Sequence, residues 1–134
     1  MFFESGICFA ICNDYAEEDF LSHLKIKHGI IMLKLWIDDD AKTPGMASFR
    51  YPPDDSFTIA LSTKEAKAIV EEKGFPFELG LDHDLGDSTV LEFLYWLEER
   101  FPDKLPPIYT IHSRNPSGAK NIEAFMNSWA KSRT

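Results

Sequence analysis

From residue 32 to the end of the chain, segments with the apolar pattern of β-strands alternate with segments that have the apolar stripe of a helix. Four short, mostly apolar runs have the length and the β-branched or aromatic content of buried strands, and they span 32–37, 57–61, 77–81 and 108–111. Apolar residues at helical spacing predict helices over 63–73, from Asp87 or Ser88 to about Phe101, and from about Pro116 or Gly118 through Trp129. This alternation predicts a parallel sheet with helices on both faces.

Local signals mark several of these boundaries. Ser62 followed by Glu65 three residues later is a capping-box pattern at the start of the first helix, and Gly74 followed by Pro76 predicts its end. Residues 41–56 contain three prolines and no periodicity, which predicts a long loop. Loops of this length in compact domains are usually functional or disordered, so we expect this one to matter to a site.

The first 31 residues do not join the pattern. Asn13 or Asp14 is a suitable cap for a helix over residues 14–27, with Gly29 as its end. We therefore predict an N-terminal extension, residues 1–31, and a domain over residues 32–134. One interpretation of the extension is an appended or weakly ordered segment without a catalytic part.

Composition narrows the class of protein. The chain has 134 residues, 44% of them hydrophobic, and a formal net charge of -8, which suits one globular domain and argues against binding to an extended nucleic-acid duplex. Its two cysteines, Cys8 and Cys12, lack partners at zinc-site spacing. The opening run is too short to span a bilayer and has no basic leading region, so we expect a cytoplasmic protein with no membrane anchor.

Polar clusters follow three of the predicted strands. They are Asp38-Asp39-Asp40, Asp82-His83-Asp84-Leu85-Gly86, and His112-Ser113 with Asn115 beyond it. Ligands of open α/β sheets bind outside the carboxyl ends of parallel strands, so these clusters are expected to share one pocket. Adjacent carboxylates repel one another unless a cation or a proton lies between them, which favours a hard divalent ion such as Mg²⁺ held by Asp38, Asp39, Asp82 and Asp84. The alternative for the Asp38-Asp39 pair alone is that it caps a turn.

The two histidines of these polar clusters, His83 and His112, differ in their expected roles. Alternation along the strand turns His83 away from Asp82 and Asp84, so His83 is a ligand, a general base, a partner of an Asp or a half-buried histidine without a role in chemistry. His112 is the better acid-base candidate because it ends the fourth strand and an unperturbed imidazole titrates near neutrality.

A phosphate seat is expected after the fourth strand. The helix that follows Asn115 presents N–H groups and a positive dipole end, with Ser113, Asn115 and Gly118 as candidate substrate contacts. Lys42, Arg114 and Lys120 are candidate phosphate complements. The alternative for residues 115–118 is a plain loop with a helix cap. The alternative for the three basic residues is that they only keep the protein soluble, as surface Lys and Arg usually do.

Residues 32–134 resemble the cyclic-phosphate processing receiver domain family, a divergent relative of two-component receivers found in bacteria and phages. The resemblance lies in Trp36-Ile37-Asp38-Asp39, the Pro-rich loop, Ser62 through Ala66, residues 81–86 and residues 111–118. It implies a three-layer, flavodoxin-like parallel sheet of about four strands, truncated relative to a full receiver. It also implies that Asp38 and Asp39 are the metal-binding acidic pair and that Asp82 matches the phosphoacceptor position.

The activity implied by the resemblance is metal-dependent hydrolysis of a cyclic phosphate on a nucleotide or an RNA end, with Mg²⁺ or Mn²⁺ as the cofactor. His112, Asp82 and His83 would be the catalytic residues. Two departures stand out. Many members carry an Arg two positions after the acidic pair, whereas this chain continues Asp40-Ala41-Lys42, and no fifth strand with the receiver's Lys is evident. The alternative is a non-catalytic receiver-like module that binds a nucleotide signal or a protein partner.

Overall fold

The computed structural model describes residues 32–86 and 88–134, together with four strand residues near the N-terminus. The chain divides into two compact units, Met1–Ile31 and Met32–Thr134. In the first unit, β1 (Phe2–Phe3) pairs antiparallel with β2 (Cys8–Phe9). The helix predicted over residues 14–27 lies outside the described residues.

The second unit contains one parallel sheet and three helices. The strands are β3 (Lys34–Ile37), β4 (Phe57–Ala60), β5 (Glu78–Leu81) and β6 (Ile108–Ile111), and the helices are α1 (Thr63–Lys73), α2 (Val90–Arg100) and α3 (Pro116–Ser132). The strand order is β4-β3-β5-β6, and every pairing is parallel. This confirms the predicted receiver-like α/β fold, short relative to a full receiver. None of the described helices has the length and hydropathy needed to cross a bilayer.

The hydrophobic core lies on one face of the sheet. Leu35 and Ile37 of β3 and Leu79 and Leu81 of β5 are fully buried, and because side chains alternate along a strand they share a face. All three helices pack their apolar residues into the same core, which includes Val70, Phe93, Leu94, Ile122, Met126 and Trp129. The second helical layer expected from the sequence is therefore not among the described residues.

Handedness explains this arrangement. The connections β4 to β5 and β5 to β6 both step across the sheet in one direction, so right-handed crossovers place α1 and α2 on the same face. The connection from β3 to β4 steps the other way, so the same rule sends residues 38–56 over the opposite face. That connection has no α-helix and only one 3-10 turn, Ser48–Arg50.

The predicted start of α1 is confirmed. Ser62 accepts a hydrogen bond from the Glu65 backbone N–H at 3.0 Å, while the Glu65 side chain reaches back to the N–H of Leu61 at 2.9 Å. Glu65 therefore caps one residue earlier than in the standard capping box.

The start of α2 differs from the prediction. Its N-cap residue is Thr89, without a side-chain capping bond, whereas Ser88 pairs through its hydroxyl with Thr63 at 2.9 Å. Asp87 lies outside the described residues. The Ser88 hydroxyl therefore links α1 to the segment before α2 instead of capping a helix.

Candidate active site

The register of the sheet aligns three polar residues at its carboxyl end. Lys34 lies beside Glu78, and Glu78 beside Ile108, so the positions four residues later, Asp38, Asp82 and His112, also fall in one row. Backbone hydrogen bonds continue the ladder to this row, from Asp82 N–H to Ile37 and from His112 N–H to Leu81 at 3.0 and 2.9 Å. All three residues therefore stand on the face opposite the hydrophobic core.

Trp36 connects the row to the sheet beneath it. Its ring crosses β5 at Gly80, where a Cβ atom would come within 2.1 Å of the indole. The ring then stacks on the imidazole of His112, with centroids 4.0 Å apart and planes 5° apart. The missing side chain at Gly80 is what allows a residue of β3 to reach a residue at the end of β6.

Arg50, which the sequence analysis did not single out, lies among the carboxylates. Its Nη2 atom lies between 2.5 and 3.3 Å from oxygens of Asp38, Asp39, Asp40 and Asp82. Its Nε also donates to both oxygens of Asp38, at 2.9 and 3.2 Å. One guanidinium thus neutralises part of a four-carboxylate cluster.

The loop holds Arg50 in this position through its backbone. The indole N–H of Trp36 donates to the carbonyl of Arg50 at 3.0 Å. The Tyr51 hydroxyl accepts from the Met46 N–H at 2.8 Å and donates to the Thr43 carbonyl. The same Trp36 side chain therefore supports both Arg50 and His112.

The carboxylates differ in their ionisation. Burial opposes ionisation of Asp38, but contacts with His112 and Arg50 outweigh it and hold its pKa below the ordinary value. Burial, together with repulsion from Asp40 and Asp38, raises the pKa of Asp39. Burial, followed by repulsion from Asp38, raises the pKa of Asp82 to about 6.

Arg50 responds in the opposite direction. Its hydrogen bonds to Asp38 outweigh the cost of burial, and attraction to Asp82 adds to them, so its pKa is raised above the ordinary value. Arg50 is therefore fully charged at any physiological pH.

A cleft of about 410 Å³ opens beside the cluster. It is lined by Asp39, Asp40, Arg50, Asp82, Asp84, Gly86, Ser113, Arg114 and Asn115. Gly86 has a φ of +68°, in the left-handed region. A Cβ there would lie 3.3 Å from the Asp39 carboxylate.

His83 and Asp84 form a second group on the rim. His83 Nδ1 lies 2.9 Å from one oxygen of Asp84, and the amide nitrogen of Asn115 donates to the other at 3.3 Å. These contacts, His83 first, lower the pKa of Asp84. The His83 ring packs against Gly118 of α3, where a Cβ would come within 2.4 Å, although its Nδ1 still reaches Asp84.

His112 is enclosed. Its side chain is 7% exposed, and Nε2 lies 3.1 Å from Asp38 Oδ2. That approach is not aligned as a hydrogen bond, and neither ring nitrogen has a hydrogen-bond partner among the described residues. His112 therefore stands behind Asp38 and does not line the cleft.

Three carboxylates of the cluster lie close enough together to hold a metal ion. Asp38, Asp39 and Asp40 each offer a ligand atom, and these atoms lie within 4.8 Å of one another. The Asp82 carboxylate belongs to the same cluster, with Oδ2 2.9 Å from Arg50 Nη2. Carboxylate oxygens are the ligands that Mg²⁺ and Ca²⁺ prefer, so the cluster has a donor set suited to a hard cation.

The comparison with known families agrees with this geometry. The model of the cyclic-phosphate processing receiver domain matches residues 33–128. The chain belongs to this family. Neither a curated protein nor a solved structure matches the chain. In this receiver domain, the match covers all four strands of the parallel sheet, every carboxylate near Arg50, and His112.

The receiver domain brings most of the predicted site residues together. Asp82, Asp84, Ser113 and Asn115 line the cleft with Asp39, and Asp38 lies behind them. Lys42 is exposed and Gly118 is buried, and neither lines the cleft. The Gly118 N–H donates to the Asn115 side chain at 2.9 Å, so that group of the predicted phosphate seat already has a partner.

Sequence reasoning missed Arg50, although one signal was available. The right-handed crossover rule places the 38–56 connection over the face that carries Asp38 and Asp82. Arg50 is the only basic residue of that connection besides Lys42. A cationic loop residue over a row of carboxylates is the expected electrostatic pairing.

Proposed function

We propose that this receiver domain hydrolyses a cyclic phosphate on a nucleotide or an RNA end, with a divalent cation as cofactor. The supporting observation is the convergence of Asp38, Asp39, Asp40 and Asp82 on one point beside an open cleft. Family membership supports the substrate class. A cleft of this size accommodates a small phosphoester, and the surplus of carboxylates favours a cation over direct contact with an anion.

The donor set fits Mg²⁺ or Mn²⁺. Asp38, Asp39 and Asp82 would hold the ion with Asp40 beside them, whereas both oxygens of Asp84 already contact His83 and Asn115. When bound, the ion would polarise the phosphoryl group or activate a water molecule.

The chain's own groups supply binding and orientation. Ser113 and Asn115 line the cleft together with the carboxylates, and the Ser113 hydroxyl proton and the second amide hydrogen of Asn115 can be donated to phosphate oxygens. Asp84 fixes the Asn115 amide, and His83 fixes Asp84. We assign these two residues to positioning the phosphate contacts.

His112 acts through Asp38 in this proposal. The ring is held by its stack on Trp36 and faces the carboxylate with Nε2. It can donate an N–H to that carboxylate and orient it, although it is covered from the cleft. His112 is therefore a positioning partner of Asp38, and its loss is expected to abolish turnover.

The test is a hydrolysis assay on 2′,3′-cyclic and 3′,5′-cyclic nucleotides, with Mg²⁺ or Mn²⁺ and with EDTA. We expect metal-dependent ring opening of at least one class, lost in Asp82→Asn and His112→Ala. Asp55→Asn is the matched control because Asp55 is an exposed carboxylate outside the cleft. Full activity in Asp82→Asn, or equal activity in EDTA, would refute the assignment.

A second candidate is a non-catalytic module that binds a nucleotide signal or a protein partner. The contacts of Arg50 favour it, since the guanidinium already satisfies oxygens of four carboxylates without an added ion. Binding of a cyclic nucleotide with a stoichiometry near one, without turnover under any metal condition, would select this alternative.

A further inference from the structure

We propose that the Arg50 guanidinium occupies the cation position of the pocket and that a divalent ion must displace it to bind. Arg50 would thereby set the affinity of the pocket for cations and its selectivity between them. The inference rests on the proposed metal-dependent function and names a residue that determines the specificity of that site.

The first argument is steric. Arg50 Nη2 lies within 3.3 Å of oxygens from four different carboxylates, so it stands at the point where those groups converge. A divalent ion would need contacts of about 2.0–2.6 Å to the same oxygens. Two cations cannot occupy that point together, so binding of the ion requires the guanidinium to leave.

The second argument comes from His112, which faces the cluster from behind Asp38. Its side chain is more than nine-tenths buried and Nε2 lies 3.1 Å from Asp38 Oδ2, yet neither ring nitrogen has an aligned hydrogen bond from the described residues. Arg50 Nε donates to the same oxygen. Departure of Arg50 would leave that oxygen to His112, and the gain of a partner for the buried ring would offset part of the lost guanidinium contacts.

The third argument is charge. Four carboxylates face one guanidinium, and because oxygens of all four lie within 3.3 Å of its Nη2 atom, their negative charges repel one another around a single positive charge. A divalent ion replaces one positive charge with two and relieves that repulsion. A monovalent ion gives no such gain over Arg50, so the exchange would select divalent ions.

Trp36 provides a reporter of the exchange. Its indole N–H donates to the Arg50 carbonyl at 3.0 Å. The indole N–H of Trp129 donates instead to the Lys104 carbonyl, away from the carboxylate cluster. Movement of Arg50 should therefore change the environment of one indole and leave the other unchanged.

The decisive measurement uses the intact wild-type chain. Mg²⁺ is titrated while the Arg50 Nε–H and the indole N–H resonances are followed by ¹H–¹⁵N NMR, with Arg50→Lys used to assign the arginine signal. We expect the Arg50 and Trp36 signals to move along one binding curve and the Trp129 signal to stay in place. Saturable Mg²⁺ binding that leaves the Arg50 signal unmoved would overturn the proposal.

Calorimetry on variants gives an independent result. Arg50→Gln removes the competing cation, and Arg114→Gln removes the same charge from the same cleft without a contact to the four carboxylates among the described residues. We expect Mn²⁺ to bind Arg50→Gln at least about tenfold more tightly than wild type, and Arg114→Gln to change the affinity less than about threefold. Equal or weaker binding by Arg50→Gln would contradict the exchange.

The outcomes separate this inference from the proposed function. Metal-dependent hydrolysis with an unmoved Arg50 refutes only the exchange. Absence of Mg²⁺ and Mn²⁺ binding in both wild type and Arg50→Gln refutes the exchange and the metal-dependent activity together. Binding by Arg50→Gln alone would show that the guanidinium excludes the ion from the wild-type pocket.

Discussion

Gly80→Ala should displace the Trp36 ring and thereby loosen both Arg50 and His112. The added Cβ would lie 2.1, 2.5 and 2.9 Å from three atoms of the indole, whereas nonbonded carbon atoms prefer about 3.5–4.0 Å. The ring must therefore retreat by roughly 1 Å or more. The retreat would disrupt the hydrogen bond to the Arg50 carbonyl and the stack on His112.

The cost follows from those contacts. The hydrogen bond contributes about 1 kcal/mol and the aromatic stack about 1 kcal/mol, while overpacking alone costs about 1–3 kcal/mol. Alanine recovers about 0.5–1 kcal/mol because it is less flexible than glycine in a strand. We expect a net loss of about 2–4.5 kcal/mol in the free energy of unfolding, which for a unit of this size lowers Tm by roughly 10–20 °C.

The assay is chemical denaturation of four proteins: wild type, Gly80→Ala, Trp36→Leu and the double variant. A smaller side chain at position 36 removes the clash, so Gly80→Ala should cost at least about 1 kcal/mol less in that background. If Gly80→Ala lost less than about 0.5 kcal/mol, or the same amount in both backgrounds, the packing of Trp36 over Gly80 would not be the constraint described above.

Two further predictions concern single side chains. Asn115→Ala should lower the free energy of unfolding by about 1 kcal/mol, because the Asn115 side chain caps α3 at Gly118. Asn115→Asp should keep the cap but weaken phosphate binding through its added negative charge beside Asp84. Equal losses of stability in both variants would contradict this. The pKa of Asp82, near 6 in the folded protein, lies above its unfolded value of about 3.9. As the pH falls from about 6 to 4, the folded state therefore binds a proton that the unfolded state does not yet bind. In EDTA, the free energy of unfolding should rise over this range. Asp82→Asn should flatten that slope, and an unchanged slope would exclude Asp82 as its source.

The sequence was informative where the cause of a structure is local. The start of α1 depends on Ser62 and Glu65, three residues apart, and the end of the helix depends on Gly74, so short-range patterns sufficed to predict both. The meeting of Asp38, Asp82 and His112 was also predictable, because parallel strands in register bring their carboxyl ends together.

The remainder depends on contacts distant in sequence. Arg50 is separated from Asp82 by 32 positions, and no periodicity marks a single arginine in a loop rich in proline. The burial of His112 depends on Trp36 crossing a glycine of another strand, a relation that hydrophobic patterns do not encode. The placement of α1 and α2 on one face followed from the direction of their two crossovers, which the alternation of elements does not reveal.

Side chains alternate between the two faces of the sheet along β3 and β5, so odd-numbered and even-numbered residues face opposite sides. Leu35, Ile37, Leu79 and Leu81 face the helices, while Trp36, Gly80 and the polar row face the loop. Substitutions in the proline-rich connection can thus change recognition while the leucine and isoleucine set keeps the chain folded. Laboratory evolution of new specificities should find its beneficial substitutions in that connection and not at Trp36 or Gly80, where the close packing leaves no room for change.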